Sequence, residues 1–294
     1  MYYVLLTLST FLIAVNTVFQ KRYEKRAGAT PASALWLLFI CGVICIPVGL
    51  VCGRLLDGVW WSTWSWFSLG IAALHAATVL AYTLISFRML EAGQMSVYTL
   101  FLMAGGMILP YLYGLIFFDE TFSWLRMAGL LCILGGVICA NRLRGGTSAR
   151  YLWMGAAVFL LNGLTSITSA IHQKEPTLPT VTSSEFGVLA FATMAAMSAV
   201  AFLCVGGPKS DVLERALRPG TLLLCGGKAA LGTVQTVLML VSVVQLPATV
   251  SYPFVSGGTI LFSTLLGWAL FREKPAPRVW AGVLLCFIGT CLFL

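Results

Sequence analysis

Charge is what this sequence has least of. Charged residues make up 10% of its 294 positions and 59% are apolar, whereas a soluble domain carries about 25% charged residues. That balance excludes a soluble enzyme, a disordered chain and a disulfide-rich secreted module. Carboxylates are the scarcest charge, ten in all, and none lies deep in an apolar stretch. An exchanger that binds cationic drugs and protons in turn needs one there, so cationic drug efflux is disfavoured. Histidine occurs twice, at His75 and His172, and no nucleophile and base are legible beside either. The motifs GxxxxGK[ST] and HExxH are missing, so neither ATP hydrolysis nor zinc-protease chemistry is expected, and no cofactor. Nine cysteines are present, yet they form no CxxC pair and no Cys/His cluster. They read as small apolar packing residues.

What the chain has is long apolar runs. A helix needs about 20 mostly apolar residues to cross a bilayer core. Ten stretches qualify, at about 2–20, 32–54, 65–87, 93–118, 124–141, 151–172, 185–206, 220–242, 247–271 and 277–294. Barrel strands would alternate apolar and polar residues, and these runs do not. The expected fold is an all-α membrane protein of ten transmembrane helices. Thr30-Pro31 reads as an N-cap with proline at the first helical position. Trp60, Trp61, Trp64 and Trp66 crowd the second connection, where indoles anchor at headgroup level. The first stretch has no basic leader and no small-residue cleavage site, so it reads as a retained helix.

Fourteen Lys and Arg fall in connections on one side of the membrane. Only Arg54, Arg126 and Lys174 fall on the other, and Lys228 lies inside a span. Basic residues stay on the cytoplasmic side, so both termini are expected outside. The net charge of +8 is then a topology signal and implies no nucleic-acid partner. The expected setting is a bacterial plasma or inner membrane, with the lipid bilayer and a small-molecule substrate as partners and no oligomer required.

Sliding the chain on itself by 153 residues lays 94–141 on 247–294 with eleven identities in 48 pairs. Among them are Glu120/Glu273 and the glycine pairs Gly105/Gly258, Gly129/Gly282 and Gly136/Gly289. Each half, 1–146 and 147–294, then holds five spans. Five is odd, so the halves cross the membrane in opposite senses. This inverted-repeat plan puts a binding site near the midplane, between the halves. The paired glycines read as helix-packing positions. Glu120 and Glu273 read as caps or dipole partners for the last span of each half.

The spacing Glu120, Gly129, Gly136, repeated as Glu273, Gly282, Gly289 after a long glycine-containing span, resembles the EamA-type repeat of the drug/metabolite transporter superfamily. The resemblance covers essentially the whole chain. It implies a carrier for small metabolites, with a central cavity lined by spans one, three, four, six, eight and nine. It does not imply which metabolite. Members commonly keep both termini in the cytoplasm, and the Lys/Arg distribution here points the other way.

Ionisable side chains within spans face a cavity or a partner. His75 and Lys228 are the two that sit well inside, and they are repeat mates. Tyr82 and Gln235, also mates, follow seven residues later on the same helix faces. Span six carries a polar stripe of Asn162, Thr165, Ser166, Ser169, His172 and Gln173, and span one offers Ser9, Asn16 and Gln20. Such stripes either hydrogen-bond between helices or line a wet cavity. Spans four and nine add Tyr98, Thr99, Ser251 and Tyr252, beside Pro110 and Pro253, which can kink their helices.

These residues point to a secondary transporter with Lys228 holding an anionic group and His75 assisting or titrating. The expected cargo is an amino acid, an organic anion or a related compound with an acidic group. Two alternatives stay open: an exporter of neutral hydrophobic compounds, and a non-catalytic membrane partner of a lipid- or metabolite-handling complex. An enzyme reporter fused after Leu294 should be active outside the cytoplasm; a cytoplasmic signal would reverse the orientation.

Overall fold

The computed structural model describes residues 1–28, 30–58, 60–91, 95–140, 149–174, 177–206, 209–271 and 275–293, the side chains at 87, 88, 90, 91, 95–100 and 271 excepted. The described residues form eleven helices: α1 (Tyr2–Ala27), α2 (Pro31–Leu56), α3 (Trp66–Glu91), α4 (Met95–Phe117), α5 (Trp124–Ala140), α6 (Ala149–Lys174), α7 (Ser183–Cys204), α8 (Lys209–Ala216), α9 (Pro219–Gln245), α10 (Ala248–Phe271) and α11 (Pro277–Cys291). Seven of them, α1, α2, α3, α6, α7, α9 and α10, are long and apolar enough to cross a membrane. The stretches Phe101–Phe117, Trp124–Ala140 and Pro277–Cys291 are shorter apolar helices. Large apolar side chains such as Leu131, Trp153, Val200, Leu223 and Leu284 point outward from several helices, as a lipid-facing surface requires. The chain is a multi-pass helical membrane protein.

The helix ends follow local chemistry. Thr30 caps α2 by accepting from the Ser33 N–H, with Pro31 at the first helical position. Thr182 and Glu185 form a capping box on α7. Glu185 also accepts from Ser62, and Asp57 accepts from Thr182 and Ser184. These carboxylates pin the α2–α3 connection to the start of α7. Trp60 and Trp64 on that connection, and Trp66 at the start of α3, are exposed.

Two features differ from the sequence expectation. The basic run Lys21–Arg26 does not leave α1 but forms its last turns, which stop at Gly28 with φ of 91°. Lys and Arg are good helix formers, so hydropathy ends the apolar run before the helix itself ends. The eight-residue helix α8 was not expected in the connection before α9. Val212 and Ala216 are its buried face, and Val212 packs with Ala32, Leu35 and Phe202. Pro110 and Pro253 lie inside the continuous helices α4 and α10. All nine cysteines are free thiols. Cys41 and Cys45 donate toward the Cys225 and Ala229 carbonyls, packing α2 on α9.

Helix directions can be read from which residues meet. Ser9 meets Gln235 while Gly227 faces Phe19, so α1 and α9 run antiparallel. His172 meets Ser68 while Thr165 meets Thr78, so α6 and α3 do too. Gly42 lies against Ala195 and Gly49 against Val188, which makes α2 and α7 antiparallel. By contrast, α4 runs parallel to α6, since Gly155 faces Phe101 and Gly163 faces Leu109. Likewise α1 runs parallel to α10, through Tyr3 on Phe254 and Phe11 on Phe262.

Glycines on both helices bring α5 and α11 into bare backbone contact. A Cβ added at Gly136 would lie 2.5 Å from the Gly282 carbonyl oxygen, and one at Gly282 would lie 2.5 Å from that of Gly136. Gly129 and Gly289 stand in the same reciprocal relation, at 2.9 and 2.7 Å. The two backbones touch, in opposite directions, because no side chain separates them. Gly282→Val should therefore destabilise the purified protein by at least about 1–3 kcal/mol through overpacking. Gly135→Ala, with nothing within 4 Å of the added carbon, should be neutral or stabilise by up to about 1 kcal/mol. Equal melting temperatures for the two variants would contradict this seam.

Candidate functional site

A chamber of about 430 Å³ lies among α1, α3, α4, α6, α9 and α10. Its wall mixes amide and hydroxyl groups with aliphatic and aromatic side chains. His75, Tyr82, Asn162, Ser169, Gln235 and Tyr252 all contribute to it, so six of the sequence-selected residues meet at one place. Thr165 and Ser166 from the same α6 stripe also line it. Two elements of the wall went unnoticed in the sequence. One is a hydroxyl set of Thr236, Ser256 and Thr259; the other is an apolar set that includes Met103, Met239 and Val255. Thr236 adjoins Gln235, and Ser256 and Thr259 lie one and two turns beyond Tyr252, so helical spacing from the chosen residues could have found them.

Hydrogen bonds hold the wall in place. Ser169 Oγ and Thr168 Oγ1 approach His75 Nδ1 at 3.2 and 3.4 Å. Thr165 donates to Thr78 at 2.8 Å, locking α6 on α3. Asn162 donates to the Leu102 carbonyl and Tyr252 to the Ser166 carbonyl, both at 2.7 Å. The stripe on α6 thus does both jobs open to it: it bonds between helices and it faces the chamber.

The other selected residues lie elsewhere. Asn16 rests against α9, its amide oriented to donate to the Lys228 carbonyl at 2.9 Å and accept from the Gly232 N–H at 3.2 Å. Gln20 is exposed on the basic tail of α1 and donates to Glu24 at 2.9 Å. Lys228 is half-buried within electrostatic reach of Cys41, Cys45 and Cys225, and it is not among the residues of the chamber wall. An ammonium inside this chamber, expected from the depth of Lys228 in its span, is therefore not present here. The reason is geometric: Lys228 lies on the same face of α9 as Gln235 but two turns toward the opposite end. The Tyr98 side chain lies outside the described residues. His172 is turned toward α3 and α7. Gln173 donates to its Nδ1 at 3.0 Å, its Nε2 faces Ser68 Oγ at 2.9 Å, and its ring stacks on Phe186.

The chamber has one sealed end. Ala170 of α6, Val243 of α9, and Ala248 and Tyr252 of α10 form a buried cluster there. At the other end, α1 and α3 have no comparable packed contact among the described residues. Beyond the seal is a polar recess of about 410 Å³ whose wall includes Phe118, Glu120, Gln173, Lys174 and Gln245.

Glu120 controls this recess. Its Oε1 accepts from Lys174 Nζ at 2.7 Å and from the Ala248 N–H at 2.6 Å, and its Oε2 accepts from the Thr249 N–H at 2.8 Å. The sequence reading expected Glu120 to serve α5; instead it caps α10, supplying a carboxylate where the helix dipole favours one. It can do so because Gly114 leaves room: a Cβ there would lie 2.9 Å from the carboxylate. Its repeat mate Glu273 lies outside the described residues.

No family model matches the chain, and no curated protein matches its sequence. Solved structures do resemble it. One, described only as a crystal structure of a protein, superposes with a TM-score of 0.70 over 98% of this chain and 95% of that one, at 18% identity. At that identity the likeness establishes the fold and says nothing of cargo.

Burial raises the Glu120 pKa, but the hydrogen bonds from Lys174, Thr249 and Ala248 outweigh it and hold the carboxyl below its ordinary value. A carboxyl more acidic in the folded protein contributes its full stability above the unfolded pKa of about 4.3 and loses it as pH falls through the folded value. Glu120→Gln should cost about 3 kcal/mol at neutral pH, as expected for a broken buried pair, and flatten the loss of melting temperature below about pH 4.3. An unchanged acid limb would remove Glu120 from this role.

Proposed function

We propose that this chain is a secondary transporter that moves a small metabolite across the membrane by alternating access. In this reading it is a ten-span carrier of two inverted five-helix repeats, 1–146 and 147–294. The observation that carries it is the chamber with one sealed end, walled by hydrogen-bonding groups from helices of both halves.

The helix pairing supports the repeat. Exchange of the halves turns α1 against α9 into α6 against α3, and α4 against α6 into α10 against α1. It turns α2 against α9 into α7 against α3, and leaves α5 against α11, α2 against α7 and α4 against α10 as pairs with themselves. The directions agree. Pairs whose span numbers are both odd or both even run parallel, and mixed pairs run antiparallel, as ten alternating crossings require. The Glu and Gly spacing noted above adds the resemblance to the EamA type.

The chamber also bears on cargo. Its wall contains amides, hydroxyls, one imidazole and aromatic faces, and no carboxylate, ammonium or guanidinium among the described residues. Such a wall suits a small polar solute carrying an apolar portion. An amino acid or related zwitterion fits better than a cationic drug.

A thermal-shift screen of purified protein against small metabolites tests this directly. A ligand at a hundredfold excess over its Kd stabilises the native state by about 2.7 kcal/mol. We expect at least one polar metabolite to do so and to be accumulated by counterflow in proteoliposomes. Gln235→Leu should abolish both effects while leaving the ligand-free melting temperature nearly unchanged. Hits that bind but never cross, or that bind Gln235→Leu equally well, would contradict the proposal.

A further inference from the structure

Lys228 remains without a role in the chamber described above, although a half-buried ammonium in a membrane bundle is costly. The chamber wall itself supplies an explanation, which rests on the repeat and on alternating access. Several wall residues have their repeat mate in the wall as well: Tyr82 with Gln235, Leu102 with Val255, Met103 with Ser256, Gly106 with Thr259 and Ser166 with Ile13. These mark the middle of the chamber. The residues toward the sealed end do not. His75, Ser169 and Met239 are in the wall, whereas their mates Lys228, Asn16 and Ser86 are not.

The seal is one-sided in the same way. α6 packs on α9 at the end that carries Lys174, while among the described residues α1 and α3 have no comparable packed contact. Local contacts already correspond: Ser169 touches His75, and Asn16 touches the backbone of Lys228.

We infer that in the opposite-facing state the halves exchange roles. Contact between α1 and α3 then seals the end that carries Lys21, and Lys228 takes the place at the closed end that His75 holds now. The cargo therefore meets an imidazole in one state and an ammonium in the other. An ammonium enclosed with the cargo calls for an anionic group, a carboxylate or a phosphate. The acidic group is gripped only while the chamber faces the Lys174 end.

The native chain carries its own reporter. In proteoliposomes, a membrane-impermeant amine-acetylating reagent is applied to one face at a time. Peptide mass spectrometry reads Lys228, with Lys21 and Lys174 as markers of the two faces. In the wild type, Lys228 should react from the Lys21 face. Val243→Trp, a wedge in the present seal, should cut that reaction at least tenfold and make Lys228 reactive from the Lys174 face. Val243→Phe serves if the larger wedge fails to fold. A mid-chamber reporter, Ser256→Lys, separates the failures. If residue 256 switches faces and Lys228 does not, the inference is wrong. If neither switches, alternating access itself is contradicted. Inorganic phosphate at constant ionic strength should then stabilise the Val243→Trp protein but not its Lys228→Met derivative; equal shifts would overturn the anion role.

Discussion

The bare contact between α5 and α11 is the constraint on which the rest depends. In lipid, apolar side chains gain little by leaving one apolar medium for another, so helices associate through close packing and hydrogen bonds. Four glycines supply such packing here, with each backbone resting on a carbonyl of the other. That contact joins α5 to α11, 153 residues apart in the chain between Gly136 and Gly289. It fixes these two helices as antiparallel, and the parallel and antiparallel pairs around it follow one consistent alternation.

Given that frame, polar side chains must find partners or water. Most do so between helices: Thr165 with Thr78, Asn162 with the Leu102 carbonyl, Tyr252 with the Ser166 carbonyl. The chamber lies where these bonded stripes converge. Its wall is thus both the glue of the bundle and a surface ready to hydrogen-bond a solute. At one end the wall closes on a small apolar cluster, and beyond that cluster Glu120 ties the α4–α5 connection to α6 and α10. The carboxylate bonds α6 and α10 at once, so any change in packing at this end must accommodate it.

Much of this was legible in the sequence because a bilayer leaves few choices. Apolar runs gave the helices to within a few residues, and six of ten selected residues meet in one chamber because helical spacing puts polar residues of one helix on one face. Three things were hidden. The end of α1 was hidden because a charged tail continues a helix that hydropathy treats as finished. The partner of Glu120 was hidden because Lys174 and the start of α10 lie 54 and 128 residues away in the chain, and only the fold brings them together. The position of Lys228 was hidden because helical periodicity gives a face and not a height along the chamber. The wall's height is set by where the helices pack, and that differs between its two ends.

The central claim is that one end opens as the other closes. Pulsed dipolar spectroscopy on protein in lipid measures it most directly. One spin-label pair spans α6 and α9 at Gln173 and Gln245; the other joins Gln20 of α1 to the last turn of α3. The account predicts two distances for each pair, with the short distance of one occurring with the long distance of the other and a shift between them on adding a transported solute. Single fixed distances at both ends, or two ends that lengthen together, would contradict it.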